Sequence, residues 1–482
     1  MIQSSFTVQR SPRFSVLSED QVHEIHRASL EVLQKVGYRV LSDEAVKILK
    51  KAGATVDGDM VKTPEHIVEE CLRLAPKGFV LYDRSGNRAL EVEGRKTYFG
   101  TNPASPNTRD ALTQEIHPTQ VEDIARGALI ADALPNIDWI MPQGTVQGIP
   151  HAGELYEFEA AVTHTEKPII FLTFSCRALE LTYEMAAQVA GGMDRLRERP
   201  FVVAYPEPIT PLVYPEEVAR KIVYTAGLGM PVIGGPAPQA GSTSPVSMAG
   251  TLTITHAESL MGLVLSQLTR PGTPYVLGGV PTVMDMATGN MSFAAPEMSL
   301  MAAAYVDIAQ SYGLPTWGTA GCTDAKAFDQ QAGIESTFSC LTQALGGVNL
   351  IHDVGYLDMG MIASAEMLVM GDEVIGMVRR FVQGIEVNAD MVARDIIEHV
   401  GPGGNFLMED HTHRYFREEH WIPTLMARQS YDQWKGEGEK TMGDRIREKV
   451  RSILETHKVP NLPESVLAEI DRIKKKGEKE LA

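Results

Sequence analysis

FVVAYPEPITPLVYPEEVARKIVYTAGLGMPVIGGPAP, residues 201–238, contains a complete strand–helix–strand unit. FVVAYPEP is apolar on both faces and stops at prolines, which cannot extend the interior of a ladder. YPEEVARKIVYTAGLG changes to helical spacing and closes at glycine, and PVIGGPAP then begins the next apolar run. Strands that are apolar on both faces belong to a parallel sheet covered by helices.

Outward from this segment the same unit recurs. TYFGTNP from Thr97, IDWIMP from Ile137 and PIIFLTF from Pro168 precede it. PYVLGGVP from Pro274, PTWGTAG from Pro315 and NLIHDVGYL from Asn349 follow it. Together with the runs at Phe201 and Pro231 there are eight, starting 40, 31, 33, 30, 43, 41 and 34 residues apart. Each interval holds one βα unit, and helical segments such as PTQVEDIARGALIADAL and HAGELYEFEAAVTH fill the gaps. TNPASPNTRD, after the first run, is not the glycine-rich phosphate turn of an open doubly wound sheet. The expected fold is therefore α/β, a closed (β/α)8 TIM barrel over residues 86–381. Residues 1–85 form an N-terminal helical or α+β cap, with Ser18 as a helix N-cap. Residues 382–482 form a C-terminal helical extension, and its last helix, ending KKKGEKELA, reads as solvated and frayed.

Composition narrows the function. A net charge of −18 over 482 residues argues against a general nucleic-acid footprint, which needs clustered Lys and Arg. Cys71, Cys176, Cys322 and Cys340 are scattered with no CxxC pair, as in a reducing compartment. MIQSSFTVQRSPRF lacks the apolar core of a signal peptide, and no apolar run is long enough to span a bilayer. A cytoplasmic protein with no membrane or nucleic-acid partner is expected.

In such a barrel the chemistry comes from strand C-termini and the loops after them. Those positions offer Tyr98, Asn102, Tyr205, Glu207, Trp317, Cys322, His352, Asp353 and Tyr356, while Phe99, Trp139 and Phe171 read as core. None of the eight runs contains Lys or Arg, which opposes a Schiff-base lysine or a strand-borne phosphate clamp. What remains is aromatic, glycine-rich and sparingly anionic. That set suits a cation, because each aromatic face attracts a quaternary ammonium by roughly 0.5–2 kcal/mol. Glu207, between two prolines, is the candidate charge partner. Gly234, Gly235, Gly278 and Gly279 leave two strand ends bare, either for a bulky ligand or for tight packing. His352 and Asp353 should face opposite sides of their strand. Asp324, Lys326, Asp329 and Gln331 either line the site or cap the next helix. Asp410, His411 and His413 have ligand chemistry, but on an exposed tail such residues are more often structural.

GTAGCTDAKAFDQQAGIESTF from Gly318, GGVNLIHDVGYLDMGMIASAEM from Gly346 and HTHRYFREEHWIPTLMARQSYDQW from His411 carry a resemblance. Over nearly its whole length the chain resembles the trimethylamine methyltransferase superfamily. The resemblance implies a (β/α)8 barrel that moves a methyl group from a methylamine to the cobalt of a corrinoid (cobalamin-type) cofactor. A separate corrinoid protein carries that cofactor, since no cobalamin-binding DxHxxG motif occurs here. It also implies a homo-oligomer. The trimethylamine enzymes carry pyrrolysine where this chain has ordinary Gln330-Gln331-Ala332-Gly333, so the chain resembles the non-pyrrolysine branch. That branch implies a quaternary amine, with glycine betaine favoured and proline betaine or carnitine as alternatives. A quaternary nitrogen leaves as a neutral amine, so displacement by cobalt(I) needs mainly positioning and shielding, with no metal of the protein's own.

On this reading Tyr98, Tyr205, Trp317 and Tyr356 contact the ammonium, with Glu207 as counter-charge. His352, or Asn102 with Gln331, holds the substrate carboxylate, and the corrinoid rests over Gly234, Gly235, Gly278 and Gly279. The rival is a zinc-dependent corrinoid or thiol methyltransferase that uses Cys322 and His352.

Overall fold

Seven of the eight expected runs become strands of one parallel sheet in the computed structural model, which describes residues 12–482. They are β1 (Tyr98–Thr101), β2 (Ile169–Phe171), β3 (Val202–Ala204), β4 (Val232–Ile233), β5 (Tyr275–Gly278), β6 (Thr316–Thr319) and β7 (Leu350–Val354). The sheet curls in the order β1-β7-β6-β5-β4-β3-β2. Its two edges meet at the remaining run: parallel bridges join Gly100 to Trp139 and Ile140 to Ile169. IDWIMP is thus reduced to two bridging residues. Pro142 follows at once, and the Trp139 indole fills the space beside Gly100, where a Cβ would lie 2.3 Å from the ring.

Alternation along the strands sorts the core. Trp139, Ile170, Val203, Tyr205, Ile233, Val276, Trp317 and Leu350 fill the inside of the curl. Phe99, Phe171, Val202 and Ile351 pack outward in the cluster shared with the surrounding helices. Helices follow the strands in turn, from Val121–Ala133 to Ala365–Gln383.

The N-terminal segment opens with helix Glu19–Glu31, which Ser18 and Gln21 close with a capping box. Its short strands Tyr38–Val40, Met60–Lys62 and Thr55–Asp57 are extended by Val213–Tyr214 from the loop after β3. A hairpin, Gly78–Tyr82 paired with Arg88–Glu93, then inserts Leu81, Leu90 and Val92 into the inside cluster. The boundary drawn near residue 85 falls in the turn of this hairpin.

At the C-terminus the last helix corrects one expectation. Glu464–Glu480 is not a solvated helix. It buries Ile470, Ile473 and Gly477 against the barrel helices, and a Cβ at Gly477 would lie 2.3 Å from Leu155. Its charges face outward or pair, as Lys474 does with Glu159 and Lys476 with Glu184. A stripe spaced by three and four residues lies beneath the lysines, and the charge run obscured it. Among the described residues no helix is long and apolar enough to cross a membrane. Most of the MIQSSFTVQRSPRF stretch lies outside the described residues, as residues 1–11.

Candidate functional site

At the C-terminal ends of the strands, inside the curl, the structure gathers Tyr205, Glu207, Trp317, His352 and Tyr356. It adds Cys322 and Asp353. Trp317 is the hub, its ring centroid 5.0 Å from Tyr205, 4.4 Å from His352 and 5.5 Å from Trp139. The Tyr205 hydroxyl donates to Glu207 Oε1 at 3.3 Å. Desolvation drives the electrostatics: burial pushes the Glu207 carboxyl up to about 7, and the Tyr205 hydrogen bond and Lys221 only partly offset it.

His352 Nδ1 donates to the Gly318 carbonyl at 2.8 Å, which fixes the tautomer and leaves Nε2 as a lone pair. Burial pushes its pKa down to about 3, so the ring is neutral. Asp353 Oδ2 lies 3.2 Å from Nε2, a contact that becomes a hydrogen bond only when the carboxyl holds a proton. Burial raises the Asp353 carboxyl to about 8, despite hydrogen bonds from Tyr356 and Thr319, and so supplies that proton at neutral pH.

Strict alternation would have aimed Asp353 away from His352. Instead the β7 register slips against β1 between Ile351 and Val354, and Asp353 adopts φ +86°. A non-glycine residue in that region is strained, and such strain concentrates at functional sites. Bulge and strain together bring the two adjacent side chains within 3.2 Å of each other. The period-two pattern carries no signal for this, and the sequence reading missed it for that reason.

Several expected site residues lie elsewhere. Tyr98 sits at the start of β1, at the opposite end of the curl. Its hydroxyl donates to the Glu91 carbonyl of the hairpin at 3.4 Å and accepts from the Glu91 N–H at 3.2 Å. Asn102 is buried and committed: Nδ2 donates to Ser105 and Oδ1 accepts from Gln143, each at 2.9 Å. Gln331 is exposed on the first turn of helix Gln330–Gly346 and donates to Glu335 at 2.9 Å. Asp329 caps that helix, and Asp324 accepts from the Phe293 N–H, so both are structural.

The four glycines are not an open rim either. All are buried, and a Cβ at Gly235 would lie 1.9 Å from the Tyr205 ring, while one at Gly278 would lie 2.5 Å from Trp317. Gly234 backs onto Tyr275 and Gly279 onto Thr255. They are bare because the aromatic cluster and the neighbouring helix need the volume. Phe174, Ile209, Val246, Met286, Ile334 and Met361 are exposed on the segments after β2 to β7 in turn, beside exposed polar residues such as Asp285, Lys326 and Gln331.

Among the described residues, no group of three or more His, Cys, Asp or Glu is placed to hold a metal. Cys322 Sγ donates to the Phe293 carbonyl at 3.4 Å, and burial holds its thiol well above the ordinary range. His411 turns its Nε2 to the Asp390 carbonyl at 3.1 Å.

A family profile described as "Trimethylamine methyltransferase (MTTB)" matches residues 2–481. The chain is 32% identical to a glycine betaine methyltransferase of Desulfitobacterium hafniense (strain Y51), covering 95% of this chain and 96% of that protein. It is also 32% identical to a trimethylamine methyltransferase of Desulfitobacterium hafniense (strain DSM 10664 / DCB-2), covering 96% and 94%. In fold it is similar to the crystal structure of the Methanosarcina barkeri monomethylamine methyltransferase, with TM-score 0.54 and 13% identity over 98% of this chain and 90% of that one.

Proposed function

The chain belongs to the trimethylamine methyltransferase family, and from that premise we propose that it transfers a methyl group from a quaternary ammonium compound to the cobalt of a corrinoid on a separate protein. The observation that carries this reading is the mouth of the curl: clustered aromatics, one counter-charge at Glu207, and no Lys or Arg in any of the strand runs around them. We take the bridges at Trp139 and Ile140 as the eighth strand of a (β/α)8 barrel, which makes that mouth the active end.

The chemistry asks little of the protein. Cobalt(I) supplies the electron pair of the new cobalt–carbon bond, and the pair of the broken carbon–nitrogen bond stays on nitrogen. The amine departs neutral and no proton moves. The residues bind and orient the cation, and the aromatic walls exclude water. Tyr205, Trp317 and Tyr356 are the aromatic contacts and Glu207 the counter-ion. The partner must cover the strand C-termini to bring cobalt to a methyl group. The exposed Phe174, Ile209, Val246, Met286, Ile334 and Met361 belong to the surface it would meet.

The test mixes the enzyme, a reduced corrinoid protein and a panel of methylated amines, with glycine betaine, proline betaine and carnitine included. Methyl-cobalt(III) is followed by absorbance. Formation with a quaternary amine is the expected result, and no signal with any of them would overturn the reading.

A further inference from the structure

Residues 384–424 form an arm without an interior: none of them is buried. Its helices are Ala389–Val392, Arg394–Val400 and Asp410–Glu419. Helices this short are marginal in water, and tertiary packing of an apolar face normally holds them. The apolar side chains are there but face solvent. Ile385, Ile397, Leu407, Met408 and Ile422 are each more than half exposed, Met408 by 90%. Both ends of the arm are rooted on helix Ala365–Gln383. The chain leaves it at Gly384 and returns where Arg380 donates to the Glu419 carbonyl at 2.7 Å and Glu373 accepts from the Thr424 N–H.

The surface of the whole chain shows the same deficit. It exposes 21,900 Å² for a mass of 52.8 kDa, whereas a compact monomer of that mass exposes about 17,700 Å². An allowance of about 1,800 Å² for residues 1–11 still leaves a surplus of about 2,400 Å². Obligate homodimers bury about 1,000–2,500 Å² on each chain, through interfaces more apolar than the rest of the surface. The surplus is of the size that such an interface removes.

Position and charge identify the occupant. Near the root of the arm Arg379 donates to Asp138 at 2.6 Å, and Asp138 also accepts from the Phe99 N–H, at the end of the sheet where the strands begin. A corrinoid protein seated over the strand C-termini covers the opposite end. Each chain carries a net charge of −18, so two copies repel unless they meet on uncharged surface. Residues 400–408, VGPGGNFLM, supply it: nine residues without a charge, ending in three exposed apolar side chains. A segment that cannot fold alone also needs its partner in equal amount from synthesis onward, and a second copy meets that condition.

We propose that the arm at residues 384–424 is the surface through which this chain associates with a second copy of itself, each copy supplying the apolar contacts that the other's arm lacks. The mouth of each copy stays uncovered.

Light scattering after size exclusion tests this on the full chain. At micromolar concentration the mass should be at least twice 52.8 kDa. Leu407→Asp combined with Met408→Asp charges the exposed apolar end and touches no buried residue, so it should reduce the mass to that of one chain with the circular dichroism unchanged. Phe174→Asp, on an exposed residue beside the mouth, should leave the mass as it is. Hydrogen exchange gives a second readout: amides of helix Asp410–Glu419 should exchange about tenfold more slowly in the wild type than in the double variant. A monomeric wild type overturns the proposal, as does a double variant that keeps the wild-type mass and protection. If the arm gains protection only when the corrinoid protein is added, that protein is the occupant and the proposal falls.

Discussion

The two ends of the curled sheet are built from similar materials and differ in what is left unpaired. At the N-terminal end the hairpin Gly78–Glu93 drives Leu81, Leu90 and Val92 under Trp139, Ile170 and Val203, and Tyr98 exchanges hydrogen bonds with the Glu91 backbone. At the other end Tyr205 and Trp317 extend the same cluster, but Trp317 Nε1 is buried without a well-formed hydrogen bond. Native proteins rarely leave such atoms without a reason. One end is finished as a core, and the other is arranged as a core that lacks a component.

The sharpest way to break this comparison is to cut each end separately. Leu81→Ala empties a fully buried site, so stability should fall by about 2–5 kcal/mol in urea denaturation, with the KM for the ammonium substrate unchanged. A large change in KM would mean that the plug shapes the mouth. Glu207→Gln should do the reverse, raising KM about tenfold, about 1.4 kcal/mol, with no loss of stability at pH 8. Tyr205→Leu removes one aromatic face and should weaken cation binding by roughly 0.5–2 kcal/mol. An unchanged Kd in titration would take Tyr205 out of the cage.

The contrast also explains what the sequence disclosed. The strand runs and their spacing are a packing pattern, and packing is local enough to read: Phe99, Trp139 and Phe171, expected in the core, are all buried. Glu207 and Tyr356 came through because they follow closely on strand ends, and Trp317 and His352 because they stand inside runs that the spacing marks as strands. Tyr98 was misplaced by the length of one strand, because TYFGTNP shows an apolar run but not which end of it meets the hairpin. Asp353 was hidden by a bulge, which reverses the face of a side chain without changing its letter. Gly235 and Gly278 read as openings since absence of a side chain is visible in sequence and the ring that fills it is not.

A pH titration sharpens the active end further. Burial raises the folded Glu207 pKa to about 7, above the ordinary carboxylate range, so the folded chain binds more protons than the unfolded chain between those values. Its contribution to stability is full at low pH and is lost as pH rises through about 7. Cation binding has the opposite sign, because it needs the ionised form. The Kd for a quaternary ammonium compound should fall as pH rises from 6 to 8, and Glu207→Gln should flatten that slope. A slope that persists in the variant would assign the titration to another group, with Asp353 next in line.

The smallest expected effect is the most discriminating between the ends. Tyr98→Phe and Tyr205→Phe delete the same hydroxyl from two residues inside one barrel. At Tyr98 the oxygen serves the Glu91 N–H and carbonyl, so its loss should cost about 0.5–1.5 kcal/mol of stability and leave kcat/KM within twofold. At Tyr205 the hydroxyl donates to Glu207, so its loss removes a hydrogen bond that favours the ionised carboxylate. The pH midpoint of cation binding should then move upward, while the aromatic face remains. Paired denaturation and binding curves for the two variants check this. A Tyr98→Phe enzyme with a shifted binding midpoint would show that the ends communicate, and the distinction between plug and cage would have to be abandoned.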